Sequence, residues 1–150
     1  MEIAARLPGD AITMLWYLAT GRLIEPAMVD LALGIWPVYP TPTRRAVQRF
    51  VAHRPGRLTD VRYPDRPVSW ISEDDYWPTV CPTDPDAAPR CVSVMVGLPR
   101  GSRLGALHDS NGRSASVVVD LPWDADPAVK VPTFTDQVEL AIEPEPAGSS

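Results

Sequence analysis

The chain has 150 residues and a net charge of −5, with 45% hydrophobic and 22% charged residues. This length fits one ordinary domain or two small lobes that share a core, and this composition excludes a disordered chain. The charge is divided by position, because residues 1–70 carry nine Arg against six acidic residues, whereas residues 71–150 carry five basic against thirteen acidic residues. This asymmetry favours two surfaces with different partners.

The sequence predicts a cytoplasmic protein with no membrane partner. Residues 1–9 contain Glu2 and Arg6 and lack the apolar centre of a signal peptide, and the longest apolar stretch, residues 11–19, is too short to cross a bilayer. Thirteen Arg against the single Lys130 is typical of a GC-rich coding genome, such as that of an actinobacterium or one of its phages.

The two cysteines predict no metal site and no cofactor. Cys81 and Cys91 are expected as free thiols in a reducing cytosol, although a disulfide between them stays open for a protein that is exported or displayed on a particle. Two thiolates without nearby His cannot complete a tetrahedral zinc shell.

Three short helices are predicted in the first third of the chain. The first begins at a cap at Gly9 or Asp10 and ends at Gly21, and the second opens at Pro26 and ends at Gly34. Apolar residues recur at helical spacing in both: Ile12, Leu15, Trp16 and Ala19, then Met28, Leu31 and Ala32. Residues 35–40 are expected to be extended, because two prolines disfavour helix before them.

The third predicted helix begins at Thr41 and ends before Pro55, and a β-hairpin of residues 58–63 and 68–71 follows it. Its basic face is formed by Arg44, Arg45, Gln48 and Arg49. This order of helices and hairpin resembles a winged helix-turn-helix over about half of the chain. The resemblance implies that the third helix contacts DNA bases or phosphates and that the hairpin is the wing. The alternative is a helical subdomain whose basic face is solvated and contacts the acidic half.

Residues 72–90 are predicted to form a Pro-rich acidic connection that contains Glu73, Asp74 and Asp75. Such a long connection is either a functional arm or a segment packed by its own aromatic residues. An exposed Trp beside a turn is a typical binding anchor. The candidate protein-contact residues are therefore Tyr76, Trp77 and Trp123.

The last third predicts an antiparallel β-sheet of four to five strands over residues 91–143. The predicted strands are Cys91–Val96, Leu104–His108, Ala115–Leu121, Val129–Phe134 at an edge, and the alternating residues 138–143. Asn111–Gly112 predicts a hairpin turn, and the run Val117–Val119 predicts a strand covered on both faces. Residues 144–150 are a polar tail.

The sequence thus predicts an α+β fold in four segments: 1–71, 72–90, 91–143 and 144–150. His108, Asp109 and Ser110 are adjacent and predict a turn rather than a catalytic triad, so no catalytic residue is assigned. The leading hypothesis is a non-enzymatic assembly or adaptor protein with protein partners or self-assembly, such as a component of a phage particle. The second hypothesis is a DNA-binding regulator whose acidic β-rich region mediates dimerisation. A small enzyme that uses the acidic cluster is the third.

Overall fold

The computed structural model describes residues 11–74, 77–105 and 113–144. These residues form a mixed α+β fold with two β-sheets and short helices, so the predicted fold class is confirmed. The elements in chain order are α1 (Ile12–Thr20), α2 (Glu25–Ala32), β1 (Arg44–Phe50), β2 (Gly56–Arg62), β3 (Val68–Trp70), α3 (Ile71–Asp74), β4 (Arg90–Val96), β5 (Arg103–Leu104), β6 (Ala115–Pro122), α4 (Pro127–Lys130), α5 (Pro132–Thr135) and β7 (Glu139–Glu143).

The four-stranded sheet has the order β1-β6-β4-β3. β6 pairs antiparallel with β1 on one side and with β4 on the other, and β3 pairs parallel with β4. The predicted coverage of β6 is confirmed, because Val117, Val118 and Val119 all have an exposed fraction of 0%. Successive residues of a strand point to opposite faces of the sheet, so a strand with consecutive apolar residues is stable where both faces are buried.

Each face of this sheet packs on a different layer. On one face, Val117 and Val119 share a core with Leu58 of β2 and Leu104 of β5, which belong to the three-stranded sheet β5-β2-β7. On the other face, Val118 packs with Leu18 of α1. The four-stranded sheet is therefore the middle layer of the molecule.

The first two predicted helices are confirmed, with α1 beginning at Ile12, while the predicted cap at Gly9 or Asp10 lies outside the described residues. Gly21 ends α1 with φ +68°, a left-handed conformation that glycine adopts without a steric penalty. α2 begins at Glu25 with Pro26 in its first turn, and Gly34 follows it with φ +76°. These ends are set by local residues, as the sequence predicted.

The third predicted helix is wrong, because Arg44–Phe50 is strand β1 and pairs with β6 along its whole length. Its apolar residues Ala46, Val47, Phe50 and Val51 follow helical spacing and not strand alternation, so the local pattern favoured a helix. Pairing with β6 overrides this pattern, because β1 supplies the backbone hydrogen bonds that one side of the buried strand β6 needs.

The predicted hairpin is also wrong. Gly56–Arg62 and Val68–Trp70 are strands, but they lie in different sheets, so the predicted wing does not form and the winged-helix arrangement is not found. β2 pairs instead with β7 and passes very close to it at Gly56, whose φ is +151°. A Cβ atom there would lie 2.5 Å from the carbonyl oxygen of Glu143, so only glycine fits.

The predicted edge strand at residues 129–134 is wrong as well, because this segment forms α4 and α5. Asp126 caps α4 by accepting a hydrogen bond from the amide of Ala128 at 2.9 Å, and Pro127 and Pro132 occupy first-turn positions that favour helix. The last predicted strand is confirmed as β7, with alternating exposed and half-buried residues.

The predicted C-terminal sheet of residues 91–143 also needs correction, in the strands that it contains and in their direction. β1 and β2 from the first half of the chain join strands from the second half, and the β3–β4 pair is parallel, so the single antiparallel C-terminal sheet does not form. The predicted segment boundaries stay a prediction. Residues 106–112, which hold most of the predicted strand Leu104–His108 and the predicted turn, lie outside the described residues, as do residues 145–150 of the polar tail.

Candidate interaction surface

A group of large hydrophobic side chains is exposed around α2 and the extended residues that follow it. Trp36 has an exposed fraction of 88% and Val38 of 95%. We call this group the apolar surface; its members are Leu23, Val29, Leu31, Leu33, Ile35, Trp36, Val38 and Tyr39.

The local sequence explains why these side chains are not buried. α2 buries none of its residues, so it does not use its apolar side chains to pack on the sheets. After it, Pro37 and Pro40 hold the backbone extended, and Pro37 is buried while its neighbours Trp36 and Val38 point away from the fold. The run therefore presents apolar side chains outward.

Hydrogen bonds fix the position of this extended run at both ends. The amide of Ile35 donates to the carbonyl oxygen of Asp30 at 2.8 Å, and the amide of Thr43 donates to the carbonyl oxygen of Ala19 at 2.9 Å. Between them, the rings of Tyr39 and Trp16 pack edge to face with centroids 5.7 Å apart. The apolar surface is thus attached to α1.

A hollow of about 660 Å³ adjoins the apolar surface, three of whose members, Leu23, Val38 and Tyr39, line it. Its walls include Tyr17, Pro26 and Tyr39, and both Arg22 and Asp30 contribute to its lining. The indole nitrogen of Trp16, which also lines the hollow, is buried and has no hydrogen-bond partner among the described residues. The hollow thus combines apolar walls, one charge of each sign and an unused donor.

The predicted DNA-contact residues do not share a face. Successive side chains of a strand point to opposite sides, so Arg45 and Arg49 lie on one face of β1 and Arg44 and Gln48 on the other. The Arg45 guanidinium lies 5.2 Å from the centre of the Trp123 ring. Gln48 donates to Ser116 Oγ at 3.0 Å, Arg49 lines a hollow beside α4 and α5, and Arg44 is buried.

Arg44 belongs to a buried ion cluster around Asp120, which is fully buried. The Oδ1 atom of Asp120 accepts from Arg44 Nε at 2.6 Å, and Oδ2 accepts from Arg90 Nε at 3.1 Å and from Thr83 Oγ1 at 3.0 Å. Arg44 Nη1 also donates to three backbone carbonyl oxygens, at 2.7 to 3.0 Å, which belong to Asp84, Pro85 and Ala87. The described part of the Pro-rich connection is therefore packed, and Arg44 and Arg90 bind its backbone carbonyl oxygens.

The acidic cluster is the run Glu73, Asp74 and Asp75, and its first residue is paired with Arg100. Glu73 accepts a hydrogen bond from the Arg100 amide at 2.6 Å and another from the Arg100 guanidinium, which lies 3.9 Å from the centre of the Trp70 ring. Asp74 ends α3, and Asp75 lies outside the described residues. Within residues 11–74, 77–105 and 113–144, no group of three or more His, Cys, Asp or Glu side chains could hold a metal ion.

The remaining candidate residues are placed separately. Trp77 is 50% exposed and Trp123 53% exposed, on different parts of the fold from the apolar surface, while Tyr76 lies outside the described residues. Cys81 is exposed and Cys91 is buried, both as free thiols. In the part of the chain that the structure describes, no helix is long and apolar enough to cross a membrane.

The apolar surface escaped sequence analysis, although a signal was present. Residues 35–39 join four large apolar side chains with a proline and follow neither helical nor strand alternation. In such a run, no single face of the backbone carries all the apolar side chains, so they cannot all be buried against the same neighbour. The buried cluster had a signal too, since Asp120 directly follows three valines in a strand.

Comparison with known proteins shows a similarity of fold and no family. No protein-family model matches the chain, and no curated protein matches its sequence. The crystal structure of phosphoribosylglycinamide synthetase from Anaerococcus prevotii is similar in fold, with a TM-score of 0.57 and 10% sequence identity. The similarity covers 89% of this chain and 30% of that enzyme chain. At this identity the likeness concerns the fold alone.

Proposed function

We propose that this protein is a non-enzymatic assembly protein that self-associates through the apolar surface. The observation that carries the proposal is the exposure of Trp36 and Val38, at 88% and 95%. Soluble monomers rarely expose contiguous apolar patches beyond a few hundred Å², and larger patches mark interaction sites. Trp and Tyr are also the side chains that contribute most to binding energy at protein interfaces.

A second copy of the chain is the occupant that the surface fits. A two-fold interface uses the same patch on both subunits, so the patch must be complementary to itself. Here Val38 lines a hollow of about 660 Å³, which has room for an indole ring, and Trp36 precedes Pro37, which also lines it. One copy would insert its projecting side chains into the hollow of the other.

The charges of the hollow support the same arrangement. Arg22 and Asp30 both line it, so each copy offers a positive and a negative charge with which the opposite charges of a second copy can pair. The unpartnered indole N–H of Trp16 would find an acceptor in the partner backbone or side chains. Membership of a phage particle or another multiprotein complex stays a prediction of the sequence.

The DNA-binding alternative has no such support. It depended on a recognition helix with four polar residues on one face, and the strand in its place divides these residues between two faces and buries Arg44. We therefore do not propose it.

The test is the oligomeric state of the full chain, measured by sedimentation velocity over the micromolar concentration range. We expect the wild type to be dimeric and Trp36→Ser to weaken the dimer by about 30-fold or more, which is the effect of losing an interface hot spot. Because Trp36 is almost fully exposed, its replacement removes little packing, and the far-UV circular dichroism spectrum should not change.

Trp123→Ser is the matched control, because Trp123 is also an exposed tryptophan but lies outside the apolar surface. Its dimer should be as stable as that of the wild type. A wild-type chain that stays monomeric throughout the micromolar range would overturn the proposal, as would a dimer that Trp123→Ser weakens and Trp36→Ser does not.

A further inference from the structure

A second feature, separate from the apolar surface, is a cavity of about 410 Å³ on the middle-layer sheet. It lies on the sheet face that carries α1, at the end opposite the Asp120 cluster. Phe50 ends β1 there, Ile71 follows β3, Gly97 follows β4 and Ala115 begins β6. We call it the strand-end cavity. Its volume lies within the range of about 300–1,000 Å³ that is usual for small-molecule sites.

The strand-end cavity contains an unused hydrogen-bond donor. Ser114 is only 1% exposed, lines the cavity, and its hydroxyl has no hydrogen-bond partner among the described residues. Buried hydroxyl groups are normally satisfied, so one that is not indicates a missing partner. Beside it, the Ser116 hydroxyl accepts from Gln48 Nε2 at 3.0 Å and keeps its own hydrogen free to donate.

The electrostatics of the cavity favour an anion. Arg113 lines it, and its guanidinium lies 4.4 Å from the centre of the Phe50 ring without an acidic partner among the described residues. None of the described residues that line the cavity is Asp or Glu. A guanidinium together with hydroxyl donors binds carboxylate or phosphate oxygens through charge-assisted hydrogen bonds.

The remaining walls are apolar and aromatic. The rings of Phe50 and Trp77 and the side chains of Ile71 and Met95 line the same space. An aromatic ring of a ligand would stack against such rings while its charged group reaches the donors. The aromatic walls and the polar donors together favour a ligand that has both an aromatic ring and an anionic group.

We propose that the strand-end cavity binds a small aromatic anion. Its carboxylate or phosphate group accepts hydrogen bonds from Arg113, Ser114 and Ser116, and its ring packs against Phe50 and Trp77. This proposal does not depend on self-association, because the cavity shares no lining residue with the apolar surface.

Isothermal titration calorimetry of the full chain tests this proposal with four probes. Benzoate and phenyl phosphate carry the ring with each type of anion, benzyl alcohol has the ring without the charge, and inorganic phosphate has the charge without the ring. We expect at least one of the two aromatic anions to bind in the millimolar range or tighter, and both benzyl alcohol and inorganic phosphate to bind at least about ten-fold more weakly. The stronger of the two anions identifies the ligand as a carboxylate or a phosphate.

Three variants assign the binding to this cavity. Arg113→Gln removes the charge and should weaken binding at least about ten-fold, and Ser114→Ala removes a donor and should weaken it several-fold. The control is Ser93→Ala, because Ser93 is also a buried serine without a hydrogen-bond partner but does not line the cavity. Its affinity should equal that of the wild type.

Ser114→Ala should not lower the thermal midpoint, because it removes a buried hydroxyl that has no partner in the described fold. Failure of all four probes to bind at millimolar concentration would overturn the proposal. Binding that persists unchanged in both Arg113→Gln and Ser114→Ala would overturn it too, since the anion would then lie elsewhere.

Discussion

Two neighbouring titratable side chains, the buried Cys91 and the half-buried Tyr63, show how single residues respond to the fold. Burial raises the pKa of the Cys91 thiol, and it raises the pKa of the neighbouring Tyr63 phenol to about 12, with a further contribution from Cys91. The raised pKa values extend to higher pH the range in which both groups are neutral. Because the thiolate is the reactive form of cysteine, Cys91 is protected from oxidation and alkylation, whereas Cys81 is exposed.

This shift gives a prediction of pH dependence. The unfolded chain releases the Tyr63 proton near pH 10 and the folded chain only near 12, so the stabilisation is complete below pH 10 and is lost as the pH rises towards 12. Tyr63→Phe keeps the ring and removes the titration. Its urea unfolding midpoint should therefore fall less between about pH 8 and 11 than that of the wild type. Equal losses in the two proteins would contradict the assignment.

At the scale of an element, the Asp120 cluster explains how a segment with neither helix nor strand is kept in place. Described residues 77–89 form no regular element, yet Arg44 binds three of their carbonyl oxygens. Arg44 itself is held by Asp120 at the end of β6. Three parts of the chain that are distant in sequence are thus joined through one carboxylate.

Asp120→Asn should destabilise the fold strongly. It leaves the Arg44 guanidinium buried without a counter-charge, which costs about 3–5 kcal/mol in the free energy of unfolding. Asp60→Asn is the control, because Asp60 pairs with Arg62 at 2.9 Å on the exposed surface, where a pair contributes about 0–1 kcal/mol. Urea unfolding measures both variants. A loss below about 1 kcal/mol for Asp120→Asn would show that the cluster does not depend on this charge.

At the scale of the whole molecule, the two sheets share one hydrophobic core. Leu58 and Val61 of β2 pack in the same cluster as Val94 of β4 and Val119 of β6. The division of charge along the chain does not divide the fold, because Arg44 from the basic half is buried against Asp120 from the acidic half. The fold therefore mixes the two halves of the sequence.

A shared core predicts a single cooperative unfolding transition. The tryptophan fluorescence signal and the far-UV circular dichroism signal should give the same urea midpoint, because neither sheet can lose its packing without exposing the other. Both signals are to be followed in one titration at a fixed protein concentration. Two separate midpoints would show that the sheets unfold independently.

The sequence by itself determined the elements whose signals are local. Gly21 ends α1 and Gly34 follows α2 in left-handed conformations, and the valine run of β6 indicates burial on both faces wherever the strand pairs. The alternation of acidic and apolar residues in β7 likewise predicts a strand without reference to the strand beside it. These features depend on residues within a few positions of one another.

The tertiary structure alone decided the rest. The apolar residues of segment 44–50 follow helical spacing, and only pairing with β6 makes the segment a strand. The two strands of the predicted hairpin find partners in different sheets, because contacts with β7 and β4 replace the contact between them. The two candidate sites, the apolar surface and the strand-end cavity, likewise depend on the tertiary structure. The apolar run of residues 35–39 gave a local signal, but the exposure of Trp36 and the unpartnered hydroxyl of Ser114 are set by what the surrounding chain leaves uncovered.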